Sequence, residues 1–227
     1  MADSSRAIIK NSHVIDATSQ EPRELTVVIE GSDIVDLLPP GSPVSSGNAQ
    51  EIDLRGSWLL PGLWDVHTHI GRGIPDPGWR DESIAERTTR AGRDCMNALA
   101  LGITGMRVVG EREYVDVAWK RAFDSGLFIG PSLFTCGWFI TTTAGHFLRS
   151  GTVKEVDGPI EFRRAIRENI NNGVDFIKLN LTGGIMGPPW DGMQNTFPTP
   201  DEIDAAFEIC HQRGFKVVAH AGGTHGI

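Results

Sequence analysis

From Pro61-Gly62 onward the chain alternates short apolar, β-prone runs with longer amphipathic ones, and few architectures accept that rhythm. Parallel strands need a crossover of about a dozen residues or more, normally a helix, so the alternation predicts an α/β fold of repeated βα units. Strands are expected near 63–68, 104–109, 130–136, 175–180 and 216–220, and helices near 83–101, 114–125, 159–172 and 200–213. Two helix starts follow from local chemistry. Gly158-Pro159 puts a proline in a first turn, and Thr199-Pro200-Asp201-Glu202 joins a hydroxyl N-cap, a proline at N1 and early acidic residues. Gly102, Gly126, Gly173 and Gly214 each stand shortly before the next strand, where a left-handed helix terminus favours glycine.

Residues 1–60 read differently. Ala7–Lys10, Leu25–Ile29 and Ile52–Leu54 are short β-prone runs between polar or Gly/Pro-rich breaks, and they predict a small β-domain. The stretch from Leu38-Pro39-Pro40-Gly41 to Gly47-Asn48 reads as turn or loop chemistry inside it. The βα region over 61–227 is expected to carry the chemistry.

Composition narrows the partners. With 40% apolar and 22% charged residues in 227, the chain has the make-up of a globular protein. Its 29 acidic against 21 basic side chains give a net charge of -8 and no basic stripe, so nucleic acid is excluded as an expected partner. No apolar run reaches membrane-spanning length, and Met1–Arg6 lacks the basic-then-apolar start of a secretory signal, so no membrane and a cytoplasmic location are expected. Cys95, Cys136 and Cys210 are far apart and form no CxxC pair, which predicts buried free thiols.

The strongest local signal is Leu63-Trp64-Asp65-Val66-His67-Thr68-His69. In an extended strand residues i and i+2 share a face, so His67 and His69 can address one cation; two strand histidines held by hydrogen bonds is the other reading. Lys178 lies inside Asp175-Phe176-Ile177-Lys178-Leu179-Asn180-Leu181. An ammonium among apolar neighbours is costly to bury, so it pairs, loses its proton or is modified; a strand-end lysine reaching a carboxylate or solvent is the alternative. His220 closes the apolar run Lys216-Val217-Val218-Ala219.

Taken in order and at these separations, Pro61–His69, Phe176–Leu179 and Val218–Ala221 resemble the amidohydrolase superfamily, particularly its prolidase-like and imidazolonepropionase-like branch. The resemblance implies a (β/α)8 barrel of the TIM type, here about its first five βα units, plus an N-terminal β-unit forming part of a composite sandwich. It implies His67 and His69 on the more buried of two divalent metal ions, carboxylated Lys178 bridging both, and His220 on the outer one. Zinc suits those donors, with cobalt, manganese or iron also compatible. The implied reaction is attack of a metal-bridging hydroxide on the carbonyl of a small-molecule amide, dipeptide, carbamate or urea-like substrate, cleaving its C–N bond. A homo-oligomer is expected.

Thr141-Thr142-Thr143-Ala144-Gly145-His146 resembles the loop that brings a histidine over the metals, which assigns His146 a catalytic and substrate-binding role; a structural hydrogen bond is the alternative. Gly183-Gly184 and Pro188-Pro189-Trp190-Asp191 are expected to shape the substrate pocket, Trp138 and Trp190 to wall it, and His225 to touch substrate. His13 and His211 read as surface positions.

The sequence stops at Ile227, and the sixth-strand histidine and eighth-strand aspartate of the family are not in it. The expectation is one piece of a longer polypeptide, or a split enzyme whose partner chain supplies the remainder of the barrel. A non-catalytic subunit that needs such a partner is the competing function. A mononuclear deaminase also begins with HxH, but a bridging carbamate at Lys178 serves two metals.

Overall fold

A computed structural model describes residues 5–72, 82–185, 187–224 and 226. The chain divides into two compact units, Met1–Gly62 and Leu63–Ile227.

In the first unit β1 (Arg6–Val14), β2 (Arg23–Glu30), β3 (Asp33–Leu38) and β4 (Gln50–Leu59) form one sheet in the order β3-β2-β1-β4. Neighbours are antiparallel except β1 and β4, which run parallel. Ile8, Val27 and Val28 are buried. The register of β1 on β4 slips where Asn11 and Arg55 both take left-handed backbone, and Asp53 pins the slip by accepting from Asn11 Nδ2 at 2.8 Å and from Arg55 N at 2.9 Å. Strand β3 was not expected. Ile34, Val35 and Leu37 are all exposed, so this edge strand lacks the one-sided apolar alternation that marks a half-buried strand. His13 is partly exposed, its ring centroid 5.2 Å from that of Trp58.

The second unit contains the five expected strands, β5 (Leu63–Thr68), β6 (Ile103–Val108), β7 (Ser132–Phe134), β10 (Ile177–Asn180) and β11 (Val217–His220). Two three-residue strands, β8 (Phe139–Thr141) and β9 (Val153–Glu155), also form within the connection after β7, too short to leave a periodic signal. The parallel sheets β5-β6-β7 and β11-β10-β8-β9 are linked by main-chain hydrogen bonds from Asp175 N to Thr135 O and from Glu111 N to Gly137 O, both 2.8 Å. The expected α/β class therefore holds.

Helices α1 (Ile84–Ala100), α2 (Val115–Asp124), α3 (Gly158–Asn172) and α4 (Pro200–Arg213) cross between the strands. Ser83 with Glu86, and Thr199 with Glu202, form reciprocal capping boxes at α1 and α4, each worth about 1 kcal/mol. Pro159 stands in the first turn of α3, and the four glycines expected after the helices all have positive φ.

The sheet alternates sides. Ile177 and Leu179 of β10 pack against Phe162 and Ile166 of α3 and Ala206 and Ile209 of α4. Burial of the larger of these side chains contributes about 1.5–3 kcal/mol each. A second cluster joins Ala91 and Cys95 of α1 to Met106, Val108, Val115 and Leu133. All three cysteines are free and buried. On β5, Leu63, Trp64 and Val66 remain exposed. Among the described residues no helix is long and apolar enough to cross a membrane.

Candidate metal centre

Because β10 sends Ile177 and Leu179 into the helix-facing core, Lys178 and Asn180 must point to the opposite face. There Lys178 joins His67, His69, His220 and His146 in lining a cavity of about 180 Å3. The histidines reach it from β5 and the residue after it, from the end of β11, and from the loop following β8.

Lys178 is 4% exposed, and it makes no hydrogen bond or ion pair with any described residue. Burial pulls its ammonium down to about 8, with Arg107 adding to the effect and Cys136 opposing it. The same burial lowers His67, lowers His69 to about 4, and lowers His220, and the Lys178 charge contributes in all three cases. Three imidazoles are thus kept neutral at neutral pH, the form that binds metal.

Two of those rings have an assigned proton. His69 Nδ1 lies 2.9 Å from the Gly110 carbonyl and His220 Nε2 lies 3.1 Å from the Gly183 carbonyl. A carbonyl oxygen only accepts, so each of these nitrogens donates, leaving a lone pair on His69 Nε2 and on His220 Nδ1. The donor chemistry of neutral imidazoles beside an unpartnered, desolvated amine fits divalent metal. Among the described residues, however, no group of three or more His, Cys, Asp or Glu side chains is arranged to hold an ion.

His146 is held from several sides. Its Nδ1 is 2.7 Å from Asp191 Oδ1, its carbonyl accepts from Asn180 Nδ2 at 3.2 Å, and its ring stacks on His220 with centroids 4.3 Å apart. Ala144 and Phe147 on either side take left-handed backbone, a strain of order 1–3 kcal/mol each that persists only where surroundings enforce it. Gly184 is required, since a Cβ there would stand 2.4 Å from His146 Cε1.

A larger cavity of about 680 Å3 shares Arg72, His146, Phe147 and His220 with the smaller one. Leu148, Ile185, Pro188 and Trp190 supply apolar walls. The Arg72 guanidinium sits 4.6 Å above the Phe147 ring, and its buried Nε has no hydrogen-bond partner among the described residues. Neither Arg72 nor the grip of Asp191 on His146 was foreseen. Arg72 follows His69 by three residues, which is the one local hint. Trp190 lines the larger cavity, while Trp138 is not among the residues lining either cavity and offers its carbonyl to Asn169 Nδ2 at 2.7 Å. His225 lies outside the described residues.

Behind the site, the fully buried Glu111 accepts from Gly71 N at 2.7 Å, with Arg87 Nη1 at 3.5 Å. Burial pushes Glu111 up to about 8 against the pull of that hydrogen bond and of Arg87 and Arg90. This carboxyl anchors the turn that follows His69.

Comparison with known proteins gives the family. Ochratoxinase from Aspergillus niger is 28% identical over 198 residues, 74% of this chain and 40% of its own length. Enamidase from Eubacterium barkeri is 27% identical over 225 residues, 97% of this chain and 51% of its own. The solved structure of a Xaa-Pro dipeptidase with bound methionine in the active site superposes with a TM-score of 0.85 at 29% identity, covering 98% of this chain and 58% of that one. The chain thus spans about half the length of the relatives it matches. The family model of the Amidohydrolase family matches residues 58–227, and the chain belongs to that family.

Proposed function

We propose that the protein is a metal-dependent hydrolase of carbon–nitrogen bonds, with His67, His69, Lys178 and His220 as donors to two divalent ions at the C-terminal mouth of a (β/α)8-type barrel. The observation that carries this reading is Lys178, 4% exposed, without an acidic partner among the described residues and drawn down to about 8 among neutral imidazoles. An amine of that kind would add carbon dioxide through its nitrogen lone pair, losing a proton to solvent, and the resulting carbamate would supply oxygen donors to metal. Divalent metal, zinc by the donor set, supplies Lewis acidity to activate water and polarise a carbonyl.

The chain's own residues do the positioning. Gly110 and Gly183 fix which nitrogens of His69 and His220 are presented. His146, which borders both cavities, is assigned to the substrate: with its Nδ1 proton donated to Asp191, its Nε2 accepts from a substrate N–H. Trp190 and its apolar neighbours take up a side chain, and Arg72 is placed to hold a substrate carboxylate. Among amides, dipeptides, carbamates and ureas, those features favour dipeptides and N-acyl amino acids. The similarity to a structure named as a Xaa-Pro dipeptidase supports the dipeptide member of that group. The exposed Leu63, Trp64 and Val66 of β5 support coverage of this edge by further polypeptide, and with it a homo-oligomeric whole.

The test is metal analysis joined to a turnover screen over X-Pro and X-Arg dipeptides, N-acyl amino acids, carbamates and ureas. About two divalent ions per chain are expected, with turnover lost on chelation and restored by zinc. Turnover that survives complete metal removal ends this reading, and metal-free, inactive protein favours a non-catalytic subunit instead.

A further inference from the structure

Asp191 lies in the connection between β10 and α4, yet it is 4% exposed, and its Oδ1 is 2.7 Å from Nδ1 of His146, itself 8% exposed. Connecting loops rarely bury a carboxylate without a specific partner. Here the backbone is cut to admit the pair. A Cβ on Gly187 would stand 2.2 Å from Asp191 Oδ2, just as one on Gly184 would strike the His146 ring. The loop is folded back on itself by isolated bridges between Thr182 and Thr196 and between Gly184 and Gly192. Gly184 N donates to Asp191 O at 3.1 Å, and Asp191 N donates to Pro188 O at 2.8 Å.

These contacts do more than close a loop. A carboxylate only accepts, so the bond to Asp191 places the His146 proton on Nδ1 and makes Nε2 the ring atom left for a ligand. Nε2 makes no hydrogen bond with any described residue. The main chain of His146 is fixed separately, by Asn180 of β10, so Asp191 is not needed to hold the loop in place. What Asp191 adds is the orientation of the ring and the location of its proton.

We propose that Asp191 is a positioning residue for His146, setting the tautomer that presents Nε2 to bound substrate and so making turnover depend on the β10–α4 connection. The turnover part rests on the hydrolase reading above; the tautomer part does not. The experiment combines imidazole 15N spectra of histidine-labelled protein with steady-state kinetics, metal content and thermal melting, for the wild type, Asp191→Asn, Asp191→Glu and Asp191→Ala. In the wild type His146 is expected as the Nδ1–H tautomer. In Asp191→Asn the Nε2–H tautomer becomes populated and kcat falls roughly ten- to hundred-fold, the range for loss of an orienting partner, while KM, metal content and melting stay near wild type. Asp191→Glu, which keeps the charge on a longer arm, keeps the Nδ1–H tautomer and recovers part of kcat, and Asp191→Ala, which removes the acceptor, supplies the tautomer and kcat readout if the asparagine variant fails to fold. A His146 that keeps its Nδ1–H tautomer in Asp191→Asn, or a wild-type kcat in that variant, overturns the proposal. Wild-type protein without any turnover sinks the hydrolase reading alone, and the 15N spectra then decide the role of Asp191 by themselves.

Discussion

The ring of His146 lies nearly parallel to that of His220, planes 20° apart and centroids separated by 4.3 Å, so a loop histidine and a strand histidine share one wall of the site. The contact depends on the missing side chain of Gly184. Substituting Gly184→Ala forces the His146 ring away, because the new Cβ meets ring atoms at 2.4 to 3.3 Å. We expect a stability loss of about 1–3 kcal/mol in urea denaturation, typical of overpacking, with a drop in kcat/KM of roughly tenfold or more. Unchanged kinetics in a folded variant would count against a substrate-facing role for His146.

Lys178 costs stability as long as no metal or carbamate occupies its site. Its folded pKa, about 8, lies below the ordinary lysine value of 10.5, so the folded state binds fewer protons between those values and stability rises with pH through that window. Replacing Lys178→Met should therefore stabilise chelator-treated protein at pH 7 by about 1–3 kcal/mol, and the advantage should shrink as pH approaches 10. The same variant should fail to hold a second metal ion by elemental analysis. A metal-free variant less stable than wild type at pH 7 contradicts the account.

Glu111 predicts the opposite slope. Its folded pKa, raised to about 8 from 4.5, means that the folded state holds a proton the unfolded state has released, so its contribution is full below about 4.5 and fades as pH rises through 8. Urea denaturation of Glu111→Gln from pH 5 to 8 should show a flatter profile than wild type, by up to about 1.4 kcal/mol per pH unit for one proton. Parallel profiles would show that Arg87 keeps Glu111 ionised throughout.

Arg72 has no carboxylate partner among the described residues and faces both cavities. Arg72→Leu should raise KM for substrates ending in a free carboxylate by roughly ten- to hundred-fold, the loss of a charge-assisted contact, and leave esterified or amidated analogues little changed. Equal losses on both substrate sets would assign Arg72 to structure alone.

Much of the second unit was legible in advance because its signals are local. The cap at Thr199, the proline at 159 and the glycines after each helix act within a few residues of where they stand. Strand β3 escaped because none of its apolar side chains is buried, and β8 and β9 because three residues carry no period. The α/β class and the strands bearing His67, Lys178 and His220 were readable for the same reason.

By itself the sequence determined which residue types stand at strand ends and which face of β10 carries Lys178, since strand alternation is a property of the backbone. Tertiary structure alone decided that Gly110 and Gly183 set the protons of His69 and His220, that Asp191 closes on a histidine 45 residues earlier, and that Arg72 borders both cavities. Those relationships join loops whose separation along the chain bears no relation to their separation in space. Only the packing of strands and helices beneath them brings their carbonyls, carboxylate and guanidinium within reach.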